Sequence, residues 1–292
     1  MNTTLASCGH NRPGKAALII MALSTSLLLT ISGTARAQLL ETQTFDSEAS
    51  ASAAGWTEFG SRINNFDFGY SSTNHAEGTA SGEGGGRIAR SEPLGYYADL
   101  TLGDVNDLSI DLHATGRLKF QDSNYDGEFF FGFFDKDQAE ANNTDYLGIH
   151  VREPRNGLWR VLSSIDGNDG VQLNITDDTA LNFEIDWDAD GGAAVGDGRL
   201  MLTLTTLDGL QTLESTVEGF DGMTVNAFGL LNLPQGGNLD QVGDFFFDDL
   251  SYTGEGIPEP SSLLLAALGL LGLLGCGRRR RRAQNTHIFA TH

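Results

Sequence analysis

The chain reads as an all-β protein: two antiparallel sheets packed as a sandwich or jelly roll, preceded by an export segment and followed by a membrane-crossing helix. Three observations predict this. Short apolar or alternating runs recur from Leu40 to Tyr252. Asp-Gly pairs separate many of them, at Asp126-Gly127, Asp166-Gly167, Asp169-Gly170, Asp190-Gly191, Asp208-Gly209 and Asp221-Gly222, each able to supply the φ > 0 that a tight hairpin needs. Helical periodicity is hard to find between Gln38 and Gly256.

At the N-terminus, Arg12 and Lys15 precede an apolar run, Ala16–Ile31, that leads into Ser32–Ala37. A positive start, a short apolar stretch and an Ala-x-Ala ending form a secretory signal peptide over 1–37, cleaved between Ala37 and Gln38. The only cysteines, Cys8 and Cys276, lie outside the exported part, which therefore carries no disulfide.

The exported body, 38–256, is long enough for one large β domain. Strands are predicted at Leu40–Phe45, Arg87–Ala89, Tyr96–Leu102, Leu108–His113, Arg117–Phe120, Glu128–Phe134 and Tyr146–Arg152. More follow at Leu158–Ser164, Val171–Ile175, Leu181–Trp187, Leu200–Thr206, Thr212–Val217, Val225–Leu231 and Phe245–Tyr252. The segment 38–90 is the least regular, with a small polar stretch at Ser47–Ala54 and a long loop at Ser71–Gly86. This body holds 10 of the 18 Lys and Arg and 38 of the 39 Asp and Glu, a net charge of −28. So acidic a surface argues against nucleic acid as a partner and suits divalent cations.

After the body come Ile257-Pro258-Glu259-Pro260, the apolar run Ser261–Gly277, the arginines Arg278, Arg279, Arg280, Arg281 and Arg282, and a tail, Ala283–His292. A membrane helix takes ~20 apolar residues, with a lower limit of roughly 17. The run meets that limit, the prolines stop it from extending backwards, and the arginines hold its end in the cytoplasm. This three-part pattern resembles the PEP-CTERM sorting signal. The resemblance implies delivery to exosortase, a membrane protease-transpeptidase, in bacteria that build extracellular polysaccharide, and a protein of the cell envelope, surface or extracellular matrix.

Gly82–Arg90, Tyr96–Leu102, Gly132-Phe133-Phe134 and Leu147–Val151 look like strands of the concanavalin A-like lectin/glucanase superfamily. Thr44-Phe45-Asp46, Gly55-Trp56 and Phe246–Leu250 are also similar to galactose-binding-like jelly rolls, the second choice of topology. Either resemblance implies a carbohydrate-related module, with polysaccharide as ligand and Trp56, Trp159, Tyr96 and Tyr97 as candidate stacking platforms, or as core residues.

Two patterns bear on chemistry. Asp186, Asp188, Asp190 and Asp197 occupy positions 1, 3, 5 and 12 of a loop with Gly191 at position 6, the layout of a calcium-binding loop; the alternative is a polar hairpin. Glu184, Asp186 and Asp188 share one face of a strand, opposite Phe183, Ile185 and Trp187. That triplet is similar to the catalytic strand of laminarinase-type glycosidases, which implies a nucleophile, a helper and an acid/base. Here the last position carries the shorter Asp188 in place of Glu, and the favoured expectation is a non-catalytic module. Asp248 and Asp249 resemble residues that hold a structural calcium in some carbohydrate-binding jelly rolls; a solvated strand end is the alternative. His113 and His150 read as ordinary strand residues.

Overall fold

The computed structural model describes residues 37–257, apart from 61–67, 91–92, 101–107, 109, 122–126, 139–144, 156, 194–196, 220–222 and 234–241. The chain divides into two compact units, and the unit Gln38–Gly256 is a two-sheet antiparallel sandwich. The predicted signal segment, the apolar run 261–277, Pro258–Pro260, the arginine cluster and the tail lie outside the described residues. No helix among the described residues is long and apolar enough to cross a membrane.

The strands are β1 (Ala37–Gln43), β2 (Trp56–Gly60), β3 (Gly69–Ser71), β4 (Glu83–Ala89), β5 (Leu94–Asp99), β6 (Leu112–Gln121), β7 (Glu128–Phe134) and β8 (Tyr146–Arg155). They continue with β9 (Leu158–Ile165), β10 (Asn168–Asp169), β11 (Leu173–Thr176), β12 (Ala180–Asp188), β13 (Gly198–Thr206), β14 (Thr212–Gly219), β15 (Ala227–Leu233) and β16 (Val242–Ile257). The first sheet runs β14-β13-β12-β6-β16-β4-β3, with β1 also on β16. The second runs β10-β9-β8-β7-β15-β5-β2, with β11 also on β9.

Of the described residues in the strand predicted at Leu108–His113, only Leu112 and His113 are in a strand; they run on through the predicted Arg117–Phe120 as one strand, β6, because Ala114 and Leu118 keep the inward alternation through Gly116. Unforeseen are β2, β3, β10 and one short helix, α1 (Glu48–Ala53). That helix is started by Ser47, whose Oγ accepts from Ser50 N while Ser50 Oγ accepts from Ser47 N. A reciprocal box of this kind satisfies the free amides of the first turn, and six residues are too few to show a periodicity.

The core lies between the sheets and is strongly aromatic. Phe131 of β7 sits at its centre, with ring centroids 4.9 Å from Phe247, 5.4 Å from Phe245 and Phe228, and 5.6 Å from Phe183. Those partners come from both sheets, so one side chain ties the layers together. The second sheet also carries apolar side chains on its outer face: Phe130, Phe134, Tyr146, Ala227 and Leu231 are buried there, with Phe59 and Tyr97 packed against them. Beneath them Gly148, Gly132 and Gly229 stand in register on β8, β7 and β15. Gly132 has φ 154, and a Cβ there would lie 2.5 Å from Leu147 O and 2.9 Å from the Phe130 ring, so only glycine lets the ring lie over the row.

Phe131→Ala is expected to cost ~3–5 kcal/mol of stability, seen in a thermal melt as a Tm lower by roughly 10 °C. Gly132→Ala, which adds a single methyl, is expected to lower Tm by ~4–8 °C, whereas an unchanged melt would show that the row is not tightly packed.

Candidate functional site

The outward alternation of β6, β12 and β13 builds a polar surface on the first sheet. Phe183, Ile185 and Trp187 point into the core, so Asn182, Glu184 and Asp186 point out. Register then sets their neighbours. Glu184 lies between Thr115 and Thr203, Asn182 between Arg117 and Thr205, and Asp186 between His113 and Met201. A cleft of about 380 Å³ opens over this ladder, lined by these three threonines, Asn182, Glu184, Arg117 and Asp249. Its floor is Gly116 and Phe183; a Cβ on Gly116 would meet the Phe183 and Leu250 side chains at 2.7 Å, so only glycine fits on the inward side of β6 there.

One wall is braced by a loop that crosses β16. Asp249 sits at a bulge with φ 51, and its carboxylate accepts from Thr79 N at 3.0 Å and Thr79 Oγ1 at 2.6 Å. Arg117 pairs with the same carboxylate at 3.2 Å and also donates to the Glu77 carbonyl. Under that loop, the buried Glu83 accepts from Thr73 Oγ1 at 2.6 Å, His75 N at 2.8 Å and Ala76 N at 2.7 Å.

At the other end of the cleft, His113 Nδ1 lies 2.5 Å from Asp186 Oδ1. With Glu184 they form a group whose ligand atoms all fall within 4.8 Å of one another.

The calcium-loop layout is corrected by these placements. Asp186 belongs to β12 and faces His113, not the loop. Asp188 Oδ1 accepts from Asp190 N at 3.1 Å, and Gly192 N donates to Asp197 O at 3.0 Å, as in a polar hairpin. Asp188 Oδ2 is 3.5 Å from Arg199. Among the described residues, no three side-chain ligands from Asp188, Asp190 and Asp197 converge. The strand's extension to Asp188 is the cause: it keeps both residues in the ladder, where Asp186 is taken by its cross-strand partner His113 and Asp188 by Arg199 and the turn amide of Asp190.

The stacking candidates are corrected as well. Trp56 and Tyr96 pack in the core at a ring distance of 5.1 Å, and Trp159 packs on Phe120 at 5.2 Å while its Nε1 donates to Asp177. All three are buried. Tyr97 points the opposite way from Tyr96, into the outer layer beside Phe59 and Phe134. None lines the cleft. Its threonines, Asn182 and Arg117 went unnoticed in the sequence, although alternation on β12 and β13 marks most of them as outward.

Two ionisable groups named in the sequence are buried in surroundings it did not reveal. His150 lies on the outer side of β8 with Nδ1 3.1 Å from Asp169 and Nε2 3.4 Å from Glu128, the latter an ion-pair contact without hydrogen-bond geometry. Arg152 links the same two carboxylates. Burial disfavours the imidazolium, but Asp169 and Glu128 outweigh it and hold the His150 pKa above the usual imidazole range. His150 beside Glu128 holds that carboxyl below its ordinary value; Asp169 is lowered too, where burial is outweighed by His150 and Ser164. Asp248 is the second group. It is not a solvated strand end but 0% exposed, and neither oxygen has a hydrogen-bond partner among the described residues. Burial pushes its pKa up to about 7, the Asp249 and Glu83 charges add to this, and the Asp249 amide beside it offsets only part.

Residues 256–281 match the family described as PEP-CTERM protein-sorting motif. The chain carries a PEP-CTERM sorting motif. It begins in the last two residues of β16 and implies export and a membrane-anchored sorting signal. The sequence matches none of the curated proteins. Among solved structures, the chain is similar to peanut lectin with a nine-residue peptide, at 10% identity over 74% of this chain and 97% of that one, TM-score 0.44. It is similar to a GH131 β-glucanase catalytic domain from Podospora anserina, at 13% identity over 75% and 93%, TM-score 0.44. The alginate lyase from Klebsiella pneumoniae gives 13% identity over 69% and 95%, TM-score 0.43. The sandwich itself is established by the strand pairing, and likenesses at this level say nothing of ligand or chemistry.

The ionisable groups set a pH window for stability. Asp248 and His150 both have raised native pKa values, so their contributions are full below the ordinary carboxylate and imidazole ranges and are lost as pH rises through the native values. Glu128 and Asp169 act oppositely and lose theirs as pH falls below the ordinary carboxylate range. Tm is therefore expected to peak near the top of the ordinary carboxylate range, at about pH 4–5, and to fall from there towards about pH 8. Asp248→Asn should flatten the alkaline side of that curve; an identical pH profile in wild type and variant would remove Asp248 as its cause.

Proposed function

We propose that this is an exported, exosortase-sorted protein of the cell envelope or extracellular matrix, whose sandwich binds polysaccharide without cleaving it. The observation that carries the reading is the cleft over β6, β12 and β13. Its lining of threonine hydroxyls, one carboxamide and carboxylates offers the donors and acceptors that sugar hydroxyls pair with, on strands held rigid by the core behind them.

The same arrangement favours binding over hydrolysis. A retaining glycosidase needs two carboxyl groups about 5 Å apart that are both available to the sugar. Asp186 is engaged by His113, and Asp188 by Arg199 and the turn amide of Asp190. Of these three, Glu184 alone is left to the cleft.

The test is retention of the full chain, in mild detergent, on a panel of insoluble and extracellular polysaccharides, with and without chelator. Retention on one polymer is expected, and Asn182→Ala or Thr203→Val should each weaken it ~10-fold, about 1.4 kcal/mol, with little change in Tm. Equal retention by the variants, or none by the wild type, overturns the assignment. Hydrolysis lost in Glu184→Gln would replace binding by catalysis. For the sorting signal, replacing Pro258, Glu259 and Pro260 with alanine is expected to leave an unprocessed full-length chain in the membrane fraction, which an immunoblot would show; normal processing would exclude exosortase.

A further inference from the structure

We propose that His113, Glu184 and Asp186 form a site for a divalent transition-metal ion of the zinc type, at the end of the cleft. The inference rests on the geometry of these three residues and not on the polysaccharide reading.

The sheet brings the ligands together. His113 of β6 is the direct cross-strand partner of Asp186 of β12, and Glu184 stands two residues back on the same face. All three ligand atoms fall within 4.8 Å of one another. An ion bound to nitrogen and oxygen at about 2.0–2.2 Å keeps its ligands roughly 3–3.5 Å apart. Closing to that spacing therefore takes small side-chain rotations, with the 2.5 Å contact between His113 and Asp186 opening to admit the ion.

The supports are fixed. The inward neighbours Leu112, Ala114, Ile185 and Trp187 are buried. The buried Thr253 brackets His113, its Oγ1 accepting from the His113 amide at 2.9 Å and donating to the His113 carbonyl at 3.2 Å. A ligand whose backbone is held on both sides loses little freedom on binding metal.

The chemistry is selective. One imidazole with two carboxylates suits zinc or a neighbouring transition ion better than calcium, which prefers an all-oxygen shell of six or more ligands. With the imidazole neutral, as ligation requires, the trio has a charge of −2 in a domain of −28, which concentrates cations around it. The next outward cation on β6, Arg117, is held by Asp249 and the Glu77 carbonyl. The side chains of His113 and Asp186 are 34% and 36% exposed, which leaves an entry path. Three protein ligands leave at least one coordination position open, and Glu184, shared with the cleft, places that position beside the cleft.

The experiment is calorimetric titration of Zn²⁺ into the full chain, stripped with chelator, without any sugar. Saturable binding of one equivalent is expected, with His113→Ala, Asp186→Asn and the outward Glu184→Gln each weakening it at least ~10-fold. Asp188→Asn, in the hairpin, should bind as the wild type does. Should one variant fail to fold, Co²⁺ in the wild type gives a second readout: absorption bands of a nitrogen- and oxygen-ligated ion, displaced by Zn²⁺; their absence overturns the site. No saturable zinc binding, equal binding by all variants, or calcium binding as tight as zinc overturns the site. A chain that binds zinc but no polysaccharide supports this site and overturns the binding surface; a chain that retains polymer but no zinc does the reverse.

Discussion

The burial of Phe183, Ile185 and Trp187 is the constraint on which the rest of this molecule depends. Side chains alternate along a strand, so a slip of one residue would put three large apolar groups in water and three polar ones in the core. Trp187 secures the register further, because its indole N–H donates to the Leu108 carbonyl at 3.1 Å in the interior. Everything outward on β12 follows: Asn182 and Glu184 under the cleft, Asp186 against His113. Phe131 and its four ring partners complete the same constraint from the facing sheet. The surface of the first sheet is therefore a by-product of how its other side packs.

A second theme is where the domain hides polar groups. Glu83, Asp248 and His150 are all buried, yet none belongs to the aromatic core; they sit on the outer sides of the sheets, under loops or beside neighbouring charges. Glu83 is fully used, with three hydrogen bonds holding the 73–76 loop. Asp248 is the opposite case, a carboxyl whose oxygens find no donor and which avoids the cost of a buried charge by keeping its proton. The two stand side by side across β4 and β16, so one satisfied and one protonated carboxyl share a space that two bare charges could not.

How much of this could be read in the sequence depended on range. Glu128–Phe134 was legible as a strand to the residue, because a run so apolar and so bounded has few other fates. The shared face of Glu184, Asp186 and Asp188 was legible from alternation alone. The partnership of Asp186 with His113 was not, since the two residues are 73 positions apart and only strand pairing joins them. The calcium-loop spacing misled because spacing cannot show whether a segment curls around an ion or continues as a strand. The tryptophans misled for a related reason: an isolated Trp gives no sign of which side of its strand faces in. Asp248 is the hardest case, because its burial comes from the 72–79 segment folding over β16, a contact of about 170 positions in range.

The last strand of the sandwich is not at an edge. β16 lies inside the first sheet, between β4 and β6, with β1 also paired to it, and its final residues open the sorting motif. A load applied at Ile257 along the strand axis therefore pulls β16 lengthwise against its antiparallel neighbours, so that many ladder hydrogen bonds bear the force together instead of parting one at a time. A strand placed this way resists as a shear joint and not as a zipper.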